Sequence, residues 1–443
     1  MTPRAGIHST TITLAALYLT ACGGGGGTGL GPTPTYTIGG MLSGLAAGQE
    51  VVLQDNGADS LTLSADGAFT FKTPISGSYT VSVSTQPTGR TCTVTNAAGS
   101  NVMANVTTVV VTCVAPARYA YVVNNGDNTV SQYTISAAGD LKPTATVPTG
   151  TSPQSVTVDP TGRYVYVSNK LDNTVSQYTI GADGSLAPMT PATIPTGMGP
   201  WAVTIDPTGA YAYVLDGTGR TISQFTIGAG GALAPMMPAT VATGTKPWGI
   251  TIDPTGHYAY VGNASDNTVS QYAIGPMGAL TPLSPATVAS GVMPTGIAVD
   301  PTSRYAYVAD FQDNTVSQYT IGTTGIWAPQ TPMTVATGVQ PVYIAVAGMN
   351  AYVANNSLLA AGTISQFKIG ASGSLTPMTV PTVASGQGPA WIAIDRAGQY
   401  AYVVNITDNT VSQYSIAGDG SLTPLGAPTV PTGIQPFVVA ILD

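Results

Sequence analysis

Residues 201–227 read WAVTIDPTGAYAYVLDGTGRTISQFTI, and this stretch decides the fold. It opens on an apolar run, Trp201-Ala202-Val203-Thr204-Ile205, cut off by Asp206-Pro207-Thr208-Gly209. Proline presets the turn and glycine supplies its left-handed position. Tyr211-Ala212-Tyr213-Val214 follows, then a second turn, then Thr221 to Ile227. Gly230-Gly231 and a stretch near Thr240-Val241 complete the unit. Four short strands joined by hairpins, called A to D here, make one propeller blade. The Asp-Pro-Thr-Gly turn returns after Asp159 and Asp253, and with Ser for Gly after Asp300.

Working outward, Ser-Gln followed by Tyr or Phe recurs at Gln132, Gln177, Gln224, Gln271, Gln318, Gln366 and Gln413, 45 to 48 residues apart. That period, with strand content, is the mark of propeller blades. The first Tyr-x-Tyr-Val block, from Tyr119, has no A strand before it. The chain ends on Pro436-Phe437-Val438-Val439-Ala440-Ile441-Leu442, which aligns with the A strands and has no B strand after it. The C-terminal strand is therefore expected to complete the N-terminal blade and close the ring, which removes exposed sheet edges. The expectation is an all-β chain with a seven-bladed β-propeller over residues 116–443.

Residues 36–115 read as a separate small β-sandwich-like domain. Val51-Val52-Leu53, Phe69-Thr70-Phe71 and Tyr79-Thr80-Val81-Ser82-Val83 have strand length, and Asp55-Asn56-Gly57 and Asp66-Gly67 punctuate them. Residues 23–35 are a Gly/Pro linker, and residues 1–22 a targeting segment. Arg4 precedes an apolar stretch, and Leu19-Thr20-Ala21-Cys22 resembles a bacterial lipobox in which Cys22 carries the lipid. Acyl chains hold a protein at a membrane by burying methylenes, at about 0.8 kcal/mol each. Gly23 after the Cys resembles lipoproteins sent to the outer membrane, so the expected partner is that membrane. In an exported chain the remaining pair, Cys92 and Cys113, is expected to form a disulfide.

The blocks Tyr164-Val165-Tyr166-Val167-Ser168-Asn169 and Tyr402-Val403-Val404-Asn405 are similar to the Tyr-Val-Thr-Asn β-propeller repeats. From Arg118 to Asp443 the chain resembles the wider lactonase-type propellers, which include 6-phosphogluconolactonase-like enzymes. That resemblance implies Glu, Arg and His groups near a central channel. The sequence holds one Glu, Glu50, in the small domain, and two His. His8 falls in the targeting segment, and His257 in an A–B turn where other blades carry Arg163, Ala210 and Arg304.

No nucleophile–base pair can be assembled from these residues, so no catalytic residue is expected. A net charge of -8 with scattered basic residues excludes nucleic acid as a partner. The Asp-Asn pairs at Asp127, Asp172, Asp266, Asp313 and Asp408 could hold Ca²⁺, but turn capping is the better reading, and no metal or cofactor is expected. Trp201, Trp248, Tyr343, Trp391 and Phe437, each just after a Pro at the start of an A strand, are the ligand-binding candidates. They are expected to ring the channel mouth and to suit a glycan, peptide or protein ligand. A second candidate contact is the apolar turn at Leu358-Leu359. The expected function is a non-catalytic binding module at the cell envelope. A lactonase-like hydrolase and a structural surface protein are the alternatives.

Overall fold

The computed structural model describes residues 33–357 and 361–443, and every regular element among them is a strand. The chain divides into two compact units between Pro116 and Ala117. In the first unit, strands β1 to β8 span Ile38–Ser43, Val51–Asp55, Asp59–Leu63, Gly67–Thr70, Gly77–Thr85, Thr91–Thr95, Ala98–Val102 and Val106–Val114. They form two four-stranded sheets, ordered β4-β1-β8-β6 and β3-β2-β5-β7. Ile38, Phe69 and Val109 of one sheet and Val51, Leu53 and Tyr79 of the other share one buried core, which makes the unit a sandwich. Cys92 and Cys113 face each other on β6 and β8 and are bonded.

The second unit is the seven-bladed propeller, each blade a four-stranded antiparallel sheet. In blade 3 the strands are Pro200–Ile205, Tyr211–Asp216, Thr221–Ile227 and Leu233–Ala242. Blade 1 takes its A strand, Pro436–Leu442, from the C-terminus, paired antiparallel to its B strand Arg118–Asn124 with Val439 opposite Val122. The ring is closed as its termini foretell.

The residues that repeat are the ones that join blade to blade. Gln224 is fully buried; its Oε1 accepts from the Leu280 N–H of blade 4 at 2.7 Å and its Nε2 donates to the Pro238 carbonyl at 3.0 Å. All seven repeat glutamines accept from the next blade in this way, Gln413 reaching Leu141 to join blade 7 to blade 1. The second Tyr of each Tyr-x-Tyr block donates to a C–D turn of the next blade, for example Tyr213 to Gly278 at 2.6 Å. Each glutamine therefore satisfies buried backbone groups that a propeller cannot pair within a sheet. Gln224→Met would leave the Leu280 N–H and the Pro238 carbonyl unpaired. It should lower stability by about 2 kcal/mol, measured as the urea midpoint, and a loss under about 0.5 kcal/mol would remove the glutamine from this role.

The A–B turn is built by its aspartate. Asp206 Oδ1 accepts from the N–H groups of Ala210 and Tyr211 at 2.8 and 2.7 Å, and Oδ2 accepts from Thr208 N–H at 3.0 Å. The turn's fourth residue has positive φ, 72° at Gly209 and 55° at Ser303, where serine stands for glycine.

Candidate functional site

Strand A lies innermost in every blade, and the seven A strands line the central channel. The bulge that follows the leading proline, between Pro200 and Ala202 in blade 3, sets which side chains turn toward it. At the end bearing the B–C turns the channel holds a chamber of about 390 Å³. All five aromatic candidates line it. Tyr343 and Trp391 stack with centroids 3.6 Å apart. Trp201 meets Trp248 at 4.6 Å and Phe437 edge-on at 6.1 Å. The first B–C turn residue contributes Phe311 and Ile406 to the rim.

Two glycines let the wall close on one side. A Cβ on Gly249 would sit 2.4 Å from the Thr295 carbonyl oxygen, and one on Gly296 would sit 2.6 Å from Tyr343 Cα. Close approach of A strands in blades 4 to 6 therefore depends on residues without side chains.

The polar groups are neutral. Gln154 stands at the position of Trp201 one blade earlier and is 5% exposed. Its Nε2 donates to the Ser152 carbonyl and hydroxyl at 3.3 and 3.1 Å, which fixes the orientation of the amide. Its Oε1 is buried with no partner among the described residues, and Gln154 lines the chamber. Burial pushes the Tyr343 hydroxyl well above the ordinary phenol range, so it stays protonated and can donate. The Thr295 hydroxyl is spent on the carbonyls of Ala309 and Pro341 at 3.1 and 3.3 Å. Among the described residues the chamber lining carries no charged side chain. Lys170 and Lys246 sit beside the site but outside its lining, their ammonium groups 4.8 and 5.8 Å from the Trp201 and Trp248 ring centres.

Other sequence candidates lie elsewhere. His257 is exposed at an A–B turn, the opposite face of the ring, with Nδ1 2.9 Å from the Thr255 hydroxyl. Arg118 and Asp395 pair at 3.4 Å away from the chamber lining. The Asp-Asn turns are spent on backbone: Asp172 Oδ2 accepts from Thr151 N–H at 2.6 Å, and Asn173 Oδ1 from Gly199 N–H at 2.7 Å. Both donors lie in D–A loops, so B–C turns and D–A loops share one face. Leu358-Leu359 and Cys22 lie outside the described residues. Sequence reading missed Gln154 and Phe311, whose only signal is their blade-equivalent position beside Trp201 and Asn356.

The seven-bladed β-propeller lactonase model matches residues 48–237, 215–342 and 329–437. The chain belongs to that family. No curated protein matches it. Among solved structures, a putative 6-phosphogluconolactonase from Bacteroides fragilis is 20% identical, with a TM-score of 0.66, covering 74% of this chain and 98% of that one. The periplasmic gluconolactonase of Pseudomonas aeruginosa is 18% identical, TM-score 0.61, covering 74% and 99%. At such identities these two likenesses speak to the fold alone.

Family membership overturns the expected non-catalytic binding module and backs the lactonase-like hydrolase instead. The physical reason lies in the weight given to missing Glu and His. That weighting left out neutral groups such as the Tyr343 hydroxyl and the Gln154 amide, both on residues that line the chamber.

Proposed function

We propose that this lactonase-family chain is a lactone hydrolase working in the propeller chamber. The observation that carries the reading is the family match along the propeller, and the names of the similar structures, a putative 6-phosphogluconolactonase and a gluconolactonase, agree with it. A lactone ring forces its ester into the less stable conformer, so opening it relieves strain and asks little of the enzyme. Water adds to the carbonyl carbon, the ring C–O bond breaks, and the water's proton passes to the departing alkoxide to give a hydroxy acid. Tyr343 supplies a protonated donor for the carbonyl oxygen as it gains charge. Gln154 Oε1, which like Asn356 Oδ1 is a buried oxygen of a chamber-lining residue without a partner among the described residues, serves as the acceptor for the attacking water. The aromatic walls exclude bulk water, which strengthens both contacts. The chain is exported and held at the membrane by a lipid on Cys22, a reading that rests on the lipobox sequence alone.

The test is acid release from a panel of γ- and δ-lactones in a pH-stat. Turnover above the spontaneous rate is expected, and Tyr343→Phe should lower kcat by roughly 100-fold with KM nearly unchanged. Absence of turnover on every lactone would remove the hydrolase reading. A wild-type rate in Tyr343→Phe would remove only the tyrosine's role.

A further inference from the structure

One tyrosine of the propeller keeps its hydroxyl free. Every other tyrosine there donates its hydroxyl to a backbone carbonyl. Tyr343 has no such bond among the described residues, and burial is the one influence on its hydroxyl. At its position, two residues after the leading proline, the other blades carry Ser155, Ala202, Gly249, Gly296, Trp391 and Val438. With no hydrogen bond to aim it, the hydroxyl goes where the ring goes. Tyr343 and Trp391 line both the chamber and a second cavity of about 360 Å³ further along the channel. Space therefore lies on two sides of the pair, and the Tyr343 ring is held by the contacts that remain.

Those contacts come from the neighbouring blades. The Trp391 ring of blade 7 stacks on one face, its centroid 3.6 Å away and its plane tilted by 24°. On the blade 5 side the backbone of Gly296 abuts the tyrosine. A Cβ there would lie 2.6 Å from Tyr343 Cα, 2.9 Å from its Cδ2 and 2.8 Å from the Val342 carbonyl oxygen. Strand A of blade 5 is itself tied to blade 6 by the Thr295 hydroxyl, 3.3 Å from the carbonyl of Pro341, two residues before Tyr343. We infer that Trp391 and Gly296 are positioning residues, which clamp the Tyr343 ring between blades 5 and 7 and aim its unpaired hydroxyl at the substrate carbonyl. Catalytic geometry is demanding, since a misplacement of about 1 Å can cost roughly 100-fold in rate. A donor that no hydrogen bond orients meets that demand only through rigid packing around its ring. Glycine serves at 296 because any side chain would push the tyrosine aside. The inference rests on the hydrolase reading for its chemistry, whereas the clamp itself does not.

The experiment is a double-mutant cycle on the lactone that turns over fastest in the pH-stat panel. Trp391→Leu removes the stacked face, and Gly296→Ala drives a methyl group against Tyr343. Each should lower kcat about tenfold or more while Tyr343 is present. In a Tyr343→Phe chain there is no hydroxyl to aim, and either substitution should change kcat by less than about twofold. Trp391→Phe keeps a ring to stack and should lose less than Trp391→Leu. KM is read separately, because Trp391 also lines the chamber. Equal losses of kcat with and without the hydroxyl would mean that the two residues support the chamber at large, and would overturn the inference. So would an undiminished kcat in both variants, or a Tyr343→Phe chain as fast as wild type. Where one of the two variants does not fold, the other carries the cycle. If no lactone turns over, the hydrolase reading falls, and crystal structures of the same variants decide the clamp. A Tyr343 Oη displaced by about 0.5 Å or more upholds it, and a smaller displacement overturns it.

Discussion

A chain ending at Gln435 should fail to fold into a cooperative propeller. Loss of residues 436–443 removes the inner strand of blade 1 and leaves Arg118–Asn124 as a bare edge. Val438 and Val439 are 5% and 1% exposed, and Phe437, Ile441 and Leu442 pack on the cores that blade 1 shares with its neighbours. Burial of those five side chains contributes roughly 8 kcal/mol. That is comparable with the whole net stability of a domain, about 5–15 kcal/mol. The strand also carries a tie to blade 7, where Asp443 Oδ2 accepts from the Arg396 N–H at 2.7 Å. The expected result is insoluble protein, or soluble protein without a cooperative melt by near-ultraviolet circular dichroism. A truncated chain that melts cooperatively within a few degrees of the full one would mean that three strands suffice for blade 1 and that ring closure contributes little.

That expectation could be written from the sequence alone, because closure is a matter of period. A reader who aligns Pro436–Leu442 with Trp201–Ile205 already knows which strand is missing from blade 1. The glutamine staples were half legible: Ser-Gln-aromatic announced a repeat, but only the inter-blade contact from Gln224 to Leu280 explains why glutamine is kept. The chamber was least legible, for a physical reason. A site in a propeller is made where blades differ, so reading by period averages it away. Trp201 stood out by size, whereas Gln154 and Gly296 look like ordinary variation until the bulge after each proline fixes which residues face the channel. The lactonase-like hydrolase stayed an alternative rather than the main expectation because a search for acids and bases passes over neutral groups such as Gln154 Oε1.

The same blade-by-blade comparison isolates a second large effect. At the end of strand B, blades 1, 2, 4, 6 and 7 carry Asn124, Asn169, Asn263, Asn355 and Asn405, whereas blades 3 and 5 carry Asp216 and Asp310, both fully buried. Asn263 donates to the Thr268 and Ser270 hydroxyls at 3.1 and 2.8 Å and accepts from Gly244 N–H at 3.0 Å. Asp310 reverses the polarity: the hydroxyls of Ser317, Ser290 and Thr315 donate to it at 2.7, 2.9 and 3.2 Å. No cation pairs with it among the described residues. Burial pushes its carboxyl from an ordinary 3.8 to about 6, against the opposing pull of those three hydroxyls. The folded state thus holds the proton more tightly than the unfolded chain. The stability this carboxyl contributes is complete below pH 3.8, declines as pH rises through about 6, and is gone above it. At pH 7.5 the ionised carboxylate therefore costs roughly 3 kcal/mol. Asp310→Asn should recover most of that, raising Tm by about 4 °C at pH 7.5. Ser317 and Gly291 can then take up the contacts that Ser270 and Gly244 make in blade 4. Wild type and variant should draw together near pH 4, because there the folded state holds the carboxyl almost wholly protonated and little buried charge remains to cost stability. Melting curves from pH 4 to 8 measure this directly. A variant that is less stable at pH 7.5, or a gap that does not close on acidification, would mean that the three hydroxyls stabilise the carboxylate enough to cancel the cost of burying it.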